Sequence, residues 1–499
     1  MSNGYAISKW EPAGPIYEAL YKLAAQPICC VAGKELDGVL EYFEEKCKKS
    51  KDVYMEAREY IPNGVQHNLA FNYPFPICVD RAEGAYLYDA DGNKYIDFLQ
   101  AGGPTILGSN YAPIREEVEK LLRTCGPVTG LLHEEELALA KEINKHMPAV
   151  EMFRMLGSGT ESVMGAVRAS RLYTGKKMIL KVGGAYHGWS DHMVYGQKIP
   201  GSRHLLESYG IPYSTLKHTC EVRPNDLDMM DRMLWLNKFR GGTACVIVEP
   251  VGPESGTRPV DKEYNAGIRK LCDKYGALLI FDEVVTGFRV GLGGAQGYFG
   301  VRPDLTIFGK IIAGGYPAAG GIGGAKAIIN KCLAAGLQAG SKKAYIGGTL
   351  AANPLSSLAG RLTIQEVERV NACEKAGLAG DRLTAGLREL IKKYDLPYVA
   401  FNQGSIVHLE CSGAMAFDGS SFNIIKSAMV LLKQKKNIME RKDAMEHMGA
   451  AYMANGIITL AGSRAYTSLA DTDAVIDEAL TKFDKVFSMV TKGVRLAQE

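Results

Sequence analysis

Ala277-Leu278-Leu279-Ile280-Phe281-Asp282 and, further along, Leu305-Thr306-Ile307-Phe308-Gly309-Lys310 decide how this chain of 499 residues is read. Each stretch is a short apolar run, consistent with a strand buried on both faces. The first run ends in a carboxylate, the second in a glycine and an amine. Open α/β sheets bind ligands in the crevice beyond the carboxyl ends of their strands. Asp282 and Lys310 are therefore expected to face one crevice. One cofactor needs that pair. Pyridoxal phosphate takes a lysine amine for its Schiff base and an acid that keeps its ring nitrogen protonated.

Working outward, apolar runs alternate with helical stretches between about 110 and 369. Strands are expected at Met152-Leu156, Lys177-Val182 and Cys245-Glu249, besides the two above. Helices are expected at Glu134-Lys145, Ser162-Tyr173 and Lys262-Tyr275. This alternation predicts an α/β fold, a mostly parallel central sheet covered by helices on both faces, in a large domain spanning 110–369. Residues 370–499 read as a smaller α+β domain, with a helix at Gly377-Tyr394 and strands at Ser405-Glu410 and Gly456-Leu460. Residues 56–109 form its N-terminal part, with a hairpin turning at Asp91-Gly92-Asn93. Residues 1–55, apolar at helical spacing over Ile16–Leu23 and Leu36–Cys47, read as a helical extension packed on the body or at a subunit contact.

Composition narrows the function classes. Lys plus Arg number 58 and Asp plus Glu 55, leaving +3, too near neutral to suggest a nucleic-acid partner. No apolar stretch approaches the roughly 18 residues of a membrane span, and Met1–Trp10 lacks the order of a signal peptide. The expectation is a cytoplasmic protein. The 11 cysteines include no Cys-x-x-Cys pair, so neither a metal site nor a disulfide framework is expected.

Other strand ends carry matching chemistry. Gly157-Ser158-Gly159-Thr160-Glu161-Ser162 follows a strand and opens a helix, where small residues and free amide N–H groups make a phosphate site. Gly183-Gly184-Ala185-Tyr186-His187-Gly188 offers Tyr186 for stacking on a flat ring, and Val284 is placed to support the other face. Glu249 ends a third strand and is positioned to bond a cofactor substituent or orient neighbours. Glu283 reads as a solvated acid at a helix start. Gly347-Gly348-Thr349 forms a further small-residue turn, with Thr349 a second candidate phosphate ligand.

These segments together resemble the class III, fold-type I pyridoxal-phosphate aminotransferases, most closely the glutamate-1-semialdehyde aminomutase branch. The stretches that carry the resemblance include GSGTESVMGAVRASRLYTGKKMI at 157–179, AYHGWSD at 185–191, LLIFDEVVTGFRV at 278–290 and PDLTIFGKIIAGGYP at 303–317. The resemblance runs from roughly 60 to 475. It implies that Lys310 holds the cofactor as an aldimine and relays the proton. Asp282 would then bind the pyridine nitrogen, Tyr186 stack on the ring beside His187, and Ser158, Gly159 and Thr160 hold the phosphate. It also implies a homodimer in which Thr349 reaches the phosphate of the neighbouring subunit.

The substrate side departs from the family pattern. Pro62-Asn63-Gly64-Val65-Gln66-His67 is followed by no arginine where that branch binds a substrate carboxylate, and Gln100-Ala101-Gly102-Gly103 replaces a pocket aromatic. Near the C-terminus the segment that often carries a glutamate reads Ala461-Gly462-Ser463-Arg464-Ala465-Tyr466, with Arg464 either a substitute for the missing carboxylate clamp or a solvated surface residue. His67, Gly102 and Arg464 are therefore the candidate substrate residues. The reaction implied moves an amino group from an amino acid or amine to a 2-oxo acid or aldehyde. An intramolecular aminomutase or an amino-acid epimerase would use the same parts.

Overall fold

The computed structural model describes residues 4–194, 196–197, 200–201, 209–336, 342–418 and 424–494. Its largest sheet has seven strands: β1 (Met152–Leu156), β2 (Met178–Val182), β3 (Thr219–Val222), β4 (Thr243–Val248), β5 (Leu278–Asp282), β6 (Leu305–Gly309) and β7 (Gly320–Gly324). Their order across the sheet is β1-β7-β6-β5-β4-β2-β3. β3, β2, β4, β5 and β6 run parallel in succession, while β7 runs antiparallel to both β6 and β1.

The strands alternate between two cores. Ile280 and Ile307 join Val163, Ala166 and Ile329 on one face, and Leu279 and Phe281 join Met230, Val246 and Ile268 on the other. The first core is covered by helices Gly159–Thr174 and Lys326–Leu333, the second by Leu227–Asn237 and Tyr264–Tyr275. Such two-sided burial is why these runs are apolar throughout rather than alternating. β7 reads Gly-Gly-Ile-Gly-Gly, a composition without strand propensity. Its neighbours require it: a Cβ at Gly323 would crowd Val150, and one at Gly321 would crowd Phe153.

A separate core joins residues 28–98 to 379–487. It is built on a four-stranded sheet (Ile457–Ile458, Lys94–Asp97, Tyr86–Asp89, Val79–Glu83), with a three-stranded sheet (Val399–Gln403, Ile406–Glu410, Arg464–Tyr466) beside it. In the hairpin, the Asp89 carboxylate accepts from the N–H groups of Asp91 at 3.0 Å and Asn93 at 2.8 Å and so closes the turn.

The N-terminal segment is not helical throughout. Helices Ala13–Ala25, Lys34–Lys46 and Lys48–Ala57 flank a strand, Ile28–Cys30, that pairs antiparallel with Thr491–Val494. Cys30, Val31, Val39 and Phe43 are buried in the core shared with 379–487. Further upstream, Ala6 donates to the Val290 carbonyl at 2.7 Å and Tyr5 lies against Gly291, just downstream of β5.

Candidate active site

Five parallel-running strands deliver side chains or turns to one end of the sheet. β1 leads into Gly157–Thr160, β2 into Gly183–Gly188, β4 into Glu249, β5 ends at Asp282 and β6 at Gly309, one residue before Lys310. Ile307 of β6 pairs with Asp282 of β5, so Lys310 lies three residues beyond the register partner of the acid. A cleft of about 320 Å³ at this end is lined by Ser158, Gly159, Thr160, Tyr186, His187, Asp282, Val284 and Lys310, among others. The structure thus brings together in one cavity eight of the residues read from the sequence.

The helix after β1 starts at Gly159, capped by the Ser158 hydroxyl, which accepts from Glu161 N–H at 3.2 Å. Glu161 folds back to take the Gly157 N–H at 2.8 Å. The amides of Gly159 and Thr160 belong to the first turn, whose N–H groups have no partner within the helix. They carry the positive end of its dipole. Val284 locks this turn to the lysine: a Cβ on Gly159 would come 2.9 Å from its Cγ2, and one on Gly309 would come 2.8 Å from its Cγ1. Gly188, at φ +81°, lets the β2 loop lie directly on Thr160, with no room for a Cβ.

Asp282 is buried, with Oδ1 accepting from Val284 N–H at 3.2 Å and Oδ2 lying 2.7 Å from His187 Nδ1. Burial holds the His187 imidazole below its usual range, against the opposing pull of Asp282. The ring is therefore neutral near pH 7 and donates from Nδ1. Its Nε2 is buried and has no hydrogen-bond partner among the described residues. Glu249 accepts from three backbone amides, Tyr186 at 2.9 Å, Glu254 at 3.0 Å and Ser255 at 2.7 Å. Burial, with Asp282 and Glu254 nearby, nevertheless pushes its carboxyl up to about 8. Tyr186 is 47% exposed over the cleft.

Lys310 has φ +52° and donates from Nζ to the Gly102 carbonyl. Burial lowers its pKa; Tyr466 and Glu249 oppose that shift, and the charges of Arg464 and Arg289 add to it. Of the substrate candidates, Gly102 therefore touches the lysine. His67 is exposed, with Nδ1 accepting from Leu69 N–H at 3.1 Å, although Leu69 itself packs beside Gly102.

Arg464 is not a solvated surface residue. It is largely buried and bonds Glu254 twice, to the carbonyl at 2.7 Å and to Oε2 at 2.9 Å. Glu283 is likewise not a solvated helix-start acid. It is buried and accepts from Thr286 Oγ1, the amides of Ala295 and Gln296, and Gln296 Nε2. Thr349 is exposed and outside the cleft lining. Residues missed from sequence are Arg289, Tyr466 and Glu254. Their approach to Lys310 and Arg464 is made by distant segments, and only the Gly-Phe-Arg after Asp282 offered a local signal.

The family profile described as "Aminotransferase class-III" matches residues 69–487. The chain belongs to the class III aminotransferases. Members of this family transaminate with pyridoxal phosphate as cofactor. Among solved structures, an omega-transaminase from Sphaerobacter thermophilus is 26% identical. It has a TM-score of 0.76, with 89% of this chain and 98% of that chain covered. A glutamate-1-semialdehyde aminomutase from Pseudomonas aeruginosa PAO1 shares the fold at 21% identity and TM-score 0.76, over 95% and 98% of the two chains. A beta-phenylalanine aminotransferase from Variovorax paradoxus shares it at 24% identity and TM-score 0.74, over 91% and 96%. Fold-type I architecture is thus shared by transaminases and an aminomutase alike. No helix among the described residues of this aminotransferase is long and apolar enough to cross a membrane.

The site's donor set fits the family cofactor. An anion-binding helix start, an acid fixed by a neutral histidine and a desolvated lysine line one cavity. The imidazole that holds the acid also lines the cavity, and its Nε2 has no partner among the described residues.

Proposed function

We propose that this aminotransferase transfers an amino group from an amino acid or amine to a 2-oxo acid or aldehyde, with Lys310 as the catalytic residue. The observation that carries the proposal is the common cavity of Lys310, Asp282 and the Ser158–Thr160 turn. When bound, pyridoxal phosphate supplies an electron sink for the bond-breaking at the substrate carbon. Every other part of the chemistry falls to the chain. Gly159 and Thr160 hold the phosphate at the helix start. Asp282, oriented by His187, keeps the ring nitrogen protonated, and Tyr186 and Val284 hold the ring between them. Lys310, desolvated and flanked by cations, keeps its amine basic enough to take a proton from the substrate carbon and deprotonated often enough to do so.

Arg464 is the candidate for a substrate carboxylate, and Glu254 already occupies it. An acidic donor would displace that carboxylate, whereas a simple amine would leave the pair intact. The protein is proposed to be cytoplasmic and to act as a homodimer. Tyr345 and Leu350, both exposed apolar side chains flanking Thr349, support a partner surface there, with Thr349 reaching the partner's phosphate site.

The test is a donor screen on the purified holoenzyme, with pyruvate and 2-oxoglutarate as acceptors, read by absorbance. Given donor alone, a transaminase converts its cofactor once and stops until an acceptor is added. Turnover of donor with no acceptor would instead mark the intramolecular aminomutase or epimerase reaction.

A further inference from the structure

Arg289 follows Asp282 by seven residues in the same segment, and its side chain is fully buried. Its guanidinium donates to the Gly103 carbonyl from Nε at 3.2 Å and Nη2 at 2.7 Å. It also reaches Gln100 Oε1 at 3.1 Å, Ser405 Oγ at 3.1 Å and the Thr467 carbonyl at 2.9 Å. All these acceptors are neutral. Asp471 is linked to it only through Gln100, whose Nε2 donates to Asp471 Oδ2 at 3.3 Å. A buried charge without a direct counter-ion among the described residues is costly.

What it grips is a strained turn. Gln100, Ala101, Gly102 and Gly103 have consecutive φ values of +45°, +52°, +84° and +112°. Two of these residues carry side chains that disfavour the left-handed region. Such a run persists only when its surroundings over-determine it. Three of the five hydrogen bonds from this rigid fork end on it, two at the Gly103 carbonyl and one at Gln100 Oε1, while the other two anchor the fork to Ser405 and Thr467. The carbonyl at the centre of the turn, Gly102, receives Lys310 Nζ, and the Tyr466 ring lies against the next residue, with Arg289 5.1 Å from the ring centroid.

We infer that Arg289 is a positioning residue for Lys310, acting through the Gln100–Gly103 turn: it fixes the Gly102 carbonyl as the resting acceptor for the free lysine amine. The inference rests on Lys310 as the reactive amine. Whenever the lysine is free, before cofactor is attached or after an incoming amine has displaced it, the amine returns to that carbonyl instead of wandering. The guanidinium charge beside it favours the neutral, nucleophilic form.

The test is competitive acetylation of Lys310 in the cofactor-free protein as a function of pH, read by mass spectrometry. Arg289→Gln removes the charge and the grip. The labelling midpoint of Lys310 should rise, leaving measurably less reactive amine at a fixed pH below the midpoint. Arg289→Lys keeps the charge and loses the fork. Its midpoint should stay near wild type while borohydride-fixed cofactor accumulates on Lys310 several-fold more slowly. A folded Arg289→Gln protein with wild-type midpoint and fixation rate overturns the inference. If that variant does not fold, Gln100→Leu, which deletes one acceptor of the fork, must slow fixation, and an unchanged rate again overturns it. Wild-type protein that fixes no cofactor at Lys310 would overturn the functional reading instead, while the labelling midpoints still report on Arg289.

Discussion

His187 Nδ1 lies 2.7 Å from Asp282 Oδ2, and both side chains are buried. The histidine is neutral because burial opposes its charge, so it orients the carboxylate without cancelling it. Asp282→Asn should keep the shape and remove the charge. It is expected to cost about 3 kcal/mol of transition-state stabilisation, a loss of 10²–10³ in kcat, the scale of one preorganised electrostatic contact. His187→Phe leaves the charge but frees its orientation and should cost about tenfold in kcat with little change in KM. Steady-state kinetics on both variants check this, and near-wild-type turnover in Asp282→Asn would remove the acid from its assigned role.

The Arg464–Glu254 pair makes a prediction about donor choice. Glu254→Gln frees the guanidinium and should lower KM for acidic donors about tenfold while leaving simple amines within about twofold. Arg464→Ala should raise KM for acidic donors and, by stranding a mostly buried Glu254, lower stability by about 3 kcal/mol. Paired donor kinetics and urea unfolding measure the two effects. Equal shifts for acidic and neutral donors would show that Arg464 does not meet the substrate.

Gly188 supplies a steric test of the phosphate turn. At φ +81°, packed on Thr160, it has room for no side chain. Gly188→Ala should force Thr160 away from the helix start and weaken cofactor binding about tenfold or more. It should leave the seven-stranded sheet intact, as read by circular dichroism. Cofactor titration of the stripped protein would decide it.

The chemistry at strand ends was legible because it is local: a buried apolar run followed by Asp282 or Lys310 needs no knowledge of the rest of the fold. The same locality placed β1, β2, β4, β5 and β6 within a residue or two at each end. β7 escaped notice because packing against Val150 and Phe153, rather than propensity, selects its glycines. β3, Thr219–Val222, is short and has no long apolar run to announce it. Arg464 was legible as a departure from pattern, but its state was not. Its neighbour Glu254 lies 210 residues away, on a loop whose path is set by Glu249 capturing the Glu254 and Ser255 amides. Glu283 was misread for the same reason, since the helix turn that satisfies it begins eleven residues later.

Glu410 offers a test of the electrostatics of the three-stranded sheet. It is buried, and among the described residues neither carboxylate oxygen has a hydrogen-bond partner. Burial raises its pKa from 4.5 to about 7, with Arg464 and Arg258 opposing. The folded protein therefore binds this proton more tightly than the unfolded chain does. The resulting stabilisation is complete below pH 4.5 and is lost as pH rises through about 7, and for a buried group it amounts to on the order of 3 kcal/mol. Glu410→Gln has no proton to lose. Between pH 4.5 and 8 its unfolding free energy should fall less steeply than that of wild type, by about that amount across the window. Urea unfolding of both proteins at several pH values in this range checks it. Parallel curves would mean that Glu410 titrates alike in the folded and unfolded chains.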